Sequence, residues 1–173
     1  WIEYKLASIL LAGPRYYDQI YKLDLIKIEE TEYYPYFEKL MITFKEKPVD
    51  VMTDYTWCFV NAYPHLLCPP FESWYLEGKI AGISLQKVLE EYSKYNIKNI
   101  SQVGDHAAVE LEYASFLYLL GNDEEAKKFL IQHPFKWLHM LAQDIITHGK
   151  SIYLNSLGNY LLIFVNKEKE KMN

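Results

Sequence analysis

The stretch Gly104-Asp105-His106-Ala107-Ala108-Val109-Glu110-Leu111-Glu112-Tyr113-Ala114-Ser115-Phe116-Leu117-Tyr118-Leu119-Leu120-Gly121 decides the fold class. Ala107, Leu111, Ala114 and Tyr118 recur at helical spacing, no proline interrupts them, and Gly121 supplies a stop. Asp105 stands where an N-cap belongs, with the amides of Ala107 and Ala108 as its donors, and its charge complements the positive helix end. The spacing predicts a helix over 105–120.

Working outward, the same period continues on both sides. Downstream, Asn122 with Glu125 reads as a capping box opening 123–132, Pro134 ends that segment, and 135–148 and 151–165 follow. Upstream, Ser84 is placed to cap 85–95, where Leu85, Val88, Leu89 and Tyr92 share a face, and 72–79 reads as a short helix or turn ending at Gly78 and Gly82. Before these, 2–11 carries Ile2, Leu6, Ile9 and Leu10 up to a break at Gly13-Pro14. The segment 15–28 resumes with Tyr17, Ile20, Tyr21, Leu25 and Ile28. Tyr36, Leu40, Ile42 and Phe44 mark a weaker helix ending before Pro48, and 50–62 follows with Asp50 as its expected cap.

No alternating segment competes, although Tyr160 to Val165 is apolar enough to read either way. The expected fold is all-α, a single-domain helical bundle over 1–173. It divides into an N-terminal half 1–62, a proline-rich link 63–71, a C-terminal half 72–165 and a charged tail 166–173, the last read as a solvated helix end or a disordered terminus.

Composition narrows the function. The 173 residues are half hydrophobic and 16% aromatic, with 16 Tyr, which favours a packed core over disorder. A net charge of -5 offers no basic face for nucleic acid or an anionic membrane. No apolar run approaches the length of a membrane span and no signal peptide is visible, so a cytoplasmic location without membrane insertion is expected. The first residue is Trp rather than Met, and a few residues are expected to precede it. Cys58 and Cys68 match neither a zinc site nor a redox pair; two free thiols are expected, with a disulfide only in a hyperthermophile source.

Asp105, His106 and Glu110 form a candidate polar patch. His106 and Glu110 stand four apart and share a face; the helix end disfavours an imidazolium whereas Glu110 favours one, which leaves the charge of His106 open. An acid–base role needs a nucleophile or metal that the sequence does not supply. His65, His133, His139 and His148 fit no zinc motif, so a metal-dependent hydrolase is the least favoured reading.

Cys68-Pro69-Pro70-Phe71-Glu72-Ser73-Trp74-Tyr75 is the second candidate. Pro69-Pro70 fixes an extended link, and Phe71, Trp74 and Tyr75 around Glu72 suit a groove for an apolar segment carrying an arginine. A guanidinium pairs with a carboxylate and stacks on a ring, which lysine does not imitate. The run Phe135 to Leu141 reads as core, and Asp123-Glu124-Glu125 as a complement to a helix end.

Together these segments resemble the TorD/DmsD family of redox-enzyme maturation chaperones. The resemblance rests on Pro69-Pro70-Phe71-Glu72-Ser73, on Asp105-His106 through Glu110-Leu111 and Tyr113, and on Phe129-Leu130, His133 and Trp137-Leu138. It covers the chain from about residue 50. One departure is Ser101-Gln102-Val103-Gly104, where members often carry Glu-Pro; Glu110 or Glu112 is the candidate substitute.

The resemblance implies a non-catalytic, cofactor-free chaperone for the catalytic subunit of a DMSO-reductase-type molybdoenzyme. It would bind the subunit's twin-arginine leader, assist cofactor insertion and prevent premature export. The alternative it implies is a chaperone for a leaderless, nitrate-reductase-type subunit. The implied client-binding residues are Pro70, Phe71, Glu72, Trp74, Tyr75, Asp105, His106 and Glu110, with the acids taking arginines and the rings lining the apolar contact. No phosphate loop is present, so nucleotide binding is not carried over. Long helices joined by the 96–104 loop are compatible with a monomer or a dimer that exchanges elements.

Overall fold

The computed structural model describes residues 1–61, 66–98 and 103–172. Among these the chain forms α1 (Ile2–Ala12), a 3-10 helix (Pro14–Lys22), α2 (Tyr34–Glu46), α3 (Pro48–Phe59), α4 (Glu72–Glu77), α5 (Ile83–Ser93), α6 (Ala107–Leu119), α7 (Asp123–Gln132), α8 (Pro134–His148) and α9 (Ile152–Glu170). The all-α expectation holds, and among the described residues there is no strand, only one isolated bridge between Phe71 and His106.

The core is one cluster that draws on both halves of the chain, including Leu6 and Leu10 of α1, Leu111 and Ala114 of α6, Trp137 and Leu141 of α8, and Leu157 of α9. Each such leucine, fully buried, stabilises the fold by about 1.5–3 kcal/mol. α1 lies along α6, α8 packs on α9, and α2 covers the other side of α9. Ser8 ties the first pair, its Oγ donating to the Ala108 carbonyl at 2.8 Å. The second pair needs a glycine: a Cβ at Gly158 would stand 2.7 Å from Ile146 Cγ1.

Several boundaries differ from those expected, each for a local reason. The segment 15–28 is a 3-10 helix followed by turns, not an α-helix. Its buried residues Pro14, Tyr17 and Ile20 recur every third position, the period of a 3-10 helix, and leave Tyr21 exposed. α3 starts at Pro48, whose ring suits a first helical turn, so Asp50 lies inside that turn instead of capping it.

α5 starts at Ile83, one residue before the expected cap. Glu77 fills that role from the preceding helix, accepting from the amides of Ile83 at 2.8 Å and Ser84 at 2.7 Å. Those two bonds hold the Glu77 carboxyl below its ordinary range. Asn122 sits at the cap position of α7 without capping; its amide donates instead to Tyr95 Oη at 3.0 Å.

The charged tail takes the helix-end form, one of the two expected, with a correction: it is not solvated throughout. α9 continues to Glu170, and Glu168 is buried, accepting from Tyr4 Oη at 2.6 Å and pairing with Lys171. The i, i+4 spacing from Phe164 to Glu168 carries the helix's inner face past the last apolar residue. Parts of the expected 63–71 link and 96–104 loop lie outside the described residues.

Candidate functional site

Two segments far apart in sequence are clasped at the N-terminus of α6. The prolines keep Cys68 and Pro69 out of helical angles, the Phe71 amide donates to the Pro69 carbonyl at 2.9 Å, and Phe71 lies in the β region. The Ala107 amide donates to the Pro70 carbonyl at 2.9 Å, and the Glu72 amide donates to the Asp105 carbonyl at 2.9 Å. These bonds flank the Phe71–His106 bridge. The Phe71 ring meets the His106 ring edge to face at 5.2 Å.

The capping roles differ from those read in the sequence. Asp105 does not cap α6: its Oδ2 accepts from the Ser73 amide at 3.0 Å, so it caps α4 from across the clasp. His106 holds the cap position of α6, its Nδ1 accepting from the Ala108 amide at 3.1 Å. An accepting Nδ1 carries no proton, and burial lowers the imidazole to about 4. His106 is therefore neutral at pH 7, which answers the question its neighbours left open. It is not paired with Glu110.

Glu110 points inward. It is fully buried and accepts from Trp137 Nε1 at 3.1 Å. Glu72, 2% exposed, meets His133 Nδ1 at 3.0 Å. Burial, and then the charge of Glu72 close by, push the Glu110 carboxyl well above its ordinary value; the Trp137 bond acts in the opposite sense. Glu110 Oε1 has no donor of its own. A proton on Glu110, directed to Glu72, accounts for both facts.

The expected arginine-binding acidic patch is thus corrected. Asp105, Glu110 and Glu72 are internal, because their oxygens serve Ser73, Trp137 and His133. Glu112, the other candidate substitute, lies elsewhere on α6 and pairs with Lys5 at 2.6 Å. Pro70 is also buried. What reaches the surface is aromatic: Trp74 is 37% exposed, with Phe71, Tyr75 and His106 half-buried around it. Tyr75 stacks on Trp137 at 5.4 Å and donates from Oη to Asp144 at 2.9 Å.

The sequence reading placed eight residues at the site but not His133, Trp137 or Asp144, which complete it. His133 and Trp137 already stood in the downstream segment of the resemblance; only Asp144 had no signal. No cluster of three potential metal-ligating side chains occurs among the described residues. No helix among them is long and apolar enough to cross a membrane.

Fold and site define an all-helical protein with partly exposed aromatic side chains beside an internal network of acids. The family follows from comparison. The profile of the Nitrate reductase delta subunit family matches residues 34–143, well over half of the chain, and the chain belongs to that family of maturation chaperones. This agrees with the resemblance to TorD/DmsD proteins; the family is a chaperone family for redox enzymes, not a catalytic one.

The fold is shared with a crystal structure from Archaeoglobus fulgidus assigned to redox enzyme maturation. The two are 20% identical with a TM-score of 0.56, over 95% of this chain and 93% of that one. No curated protein sequence matches the chain.

Proposed function

We propose that this chain is a cytoplasmic chaperone that holds the catalytic subunit of a molybdenum redox enzyme during cofactor insertion. The client is gripped at the clasp between Pro70–Tyr75 and Asp105–Glu110. The observation that carries this reading is the juxtaposition itself: two motif segments inside the family match are joined through backbone bonds beneath exposed Trp74.

In this reading the eight residues divide their work. Phe71, Trp74, Tyr75 and His106 meet the client; Pro70, Glu72, Asp105 and Glu110 hold them in place. Arginines of a twin-arginine leader stack on the rings of Trp74 and Tyr75, with Asp144 as the nearby carboxylate. Ordering a flexible leader costs several kcal/mol, so binding is modest and release follows readily. A second reading, a leaderless nitrate-reductase-type subunit, draws on the family's description as a nitrate reductase delta subunit.

Co-purification of the tagged protein from its source cells tests the shared claim, with a molybdoenzyme large subunit expected to come with it. A paired-arginine leader peptide then separates the two readings: binding supports the leader, whereas binding of apo-subunit alone supports the leaderless client. Trp74→Ala should weaken client binding about tenfold or more while stability stays within about 0.5 kcal/mol. Undiminished client binding by Trp74→Ala together with Phe71→Ala would move the site elsewhere.

A further inference from the structure

Cys58 and Cys68 stand ten residues apart, a spacing that spells no redox pair, yet the fold sets their sulfurs 2.8 Å from each other. Cys58 lies in the last turn of α3, where a helix leaves its carbonyls without partners. The Cys68 amide takes up one of them, donating to the Cys58 carbonyl at 3.1 Å. That main-chain bond lays the two residues side by side. Both are free thiols, and both are fully buried.

Chemistry narrows what such a pair does. No third potential metal ligand joins it among the described residues, which leaves sulfur–sulfur chemistry. A disulfide bond is ~2.05 Å long, so the sulfurs need to approach by less than about 1 Å. The hydrogen bond between the thiols, and then burial, push the Cys68 thiol well above its ordinary value. Little thiolate forms, so exchange with outside disulfides is slow, and the enclosed site disfavours a lasting adduct on a single sulfur.

Position gives the pair its leverage. Cys68 runs directly into buried Pro69 and Pro70, the stiff entry to the clasp. The carbonyls of these prolines accept from the amides of Phe71 and Ala107, both at 2.9 Å. A covalent tie at Cys68 therefore fixes the end of α3 to the segment that carries Phe71.

We propose that Cys58 and Cys68 form a reversible dithiol–disulfide pair that staples α3 to the entry of the clasp, oxidised by a small-molecule disulfide of the glutathione class. One cysteine sulfur attacks that disulfide and releases one glutathione thiol. The other displaces the second glutathione as the Cys58–Cys68 bond forms. Two electrons pass to the glutathione disulfide, and the two cysteine protons leave with its two thiols. The proposal goes beyond the chaperone reading and stands without it, because pair and clasp are features of the chain alone.

The test incubates the purified chain in glutathione buffers from fully reduced to fully oxidised, blocks remaining thiols under denaturing conditions and reads the intact mass. The chain should take up two alkyl groups at the reducing end and none at the oxidising end, where a proteolytic fragment joins Cys58 to Cys68. Reduced glutathione should restore the dithiol. Hydrogen exchange at the Cys68 and Phe71 amides should be at least about tenfold slower in the oxidised chain, with α9 changed less. Cys58→Ala, checked by a thermal melt, should lose that redox response, and the wild-type series decides even where the variant melts early. Two alkylations across the whole series, glutathione adducts on both cysteines, or a bond that forms only after unfolding overturns the proposal. So does a disulfide that leaves exchange at Phe71 unchanged.

Discussion

Replacing Glu110 with Gln should make the protein less sensitive to pH, and the size of the effect follows from where the carboxyl sits. Glu110 is buried and lies beside Glu72, which together keep its proton in the folded state against the opposing effect of the Trp137 N–H at 3.1 Å. In the unfolded chain the same carboxyl titrates near its ordinary value of 4.5. Above that pH the unfolded state releases a proton that the folded state retains, so stability falls as pH rises until the folded carboxyl itself ionises.

Full linkage is about 1.4 kcal/mol per pH unit, so the interval from pH 5 to 6 is worth on the order of 1 kcal/mol. Gln keeps the acceptor for Trp137 and offers Glu72 an N–H, yet has no proton to lose. Urea melts of wild type and Glu110→Gln at pH 5 and pH 6 read the effect of Glu110 together with its coupled neighbour Glu72. The gap should move by on the order of 1 kcal/mol in favour of the variant as pH rises through that interval. Parallel profiles would refute the assignment of a proton to Glu110.

Two further outcomes follow from the same geometry. Asp105→Ala leaves the Ser73 amide buried without an acceptor and should cost about 1–3 kcal/mol. Hydrogen exchange should rise at Ser73 while α9 stays protected, and unchanged exchange at Ser73 would contradict the cross-clasp cap. Tyr4→Phe removes a donor from buried Glu168 and should cost a similar amount in a urea melt, about 1–3 kcal/mol; adding Glu168→Leu should recover part of it. A double variant that melts no later than the single one would show that the tail contributes by packing alone.

The helical class was legible because helix faces here are wide and apolar, and Gly121, with φ 77, stops α6 where the sequence places a stop. Capping was misread where another residue took the role or another partner drew the side chain away: Asp105, Ser84 and Asn122 all look like local caps. His106 serves the amide of Ala108, Glu77 those of Ile83 and Ser84, Asp105 serves another helix, and Asn122 donates to Tyr95 instead of capping. A sequence motif shows which polar residues are available, not which donor reaches them first. The acids were misplaced for a related reason. Glu72 and Glu110 read as surface charges because their partners, His133 and Trp137, are brought in by the packing of α8. The tail was misjudged because buried Glu168 is a polar residue on a core face, invisible to a hydrophobic pattern.

The clasp at Phe71–His106 has a consequence for how such chains diverge. It ties off everything from Ser73 to Gly104 as a closed excursion, anchored at both ends by main-chain bonds that need no particular side chain. Closing a loop becomes only about 0.6 kcal/mol costlier for each doubling of its length. The outward face of α5 can therefore vary while the clasp keeps its shape, with buried Val88 and Tyr92 as its fixed points in the core. A lineage of such proteins gains room to vary between the two ends of the clasp without refolding what holds it together.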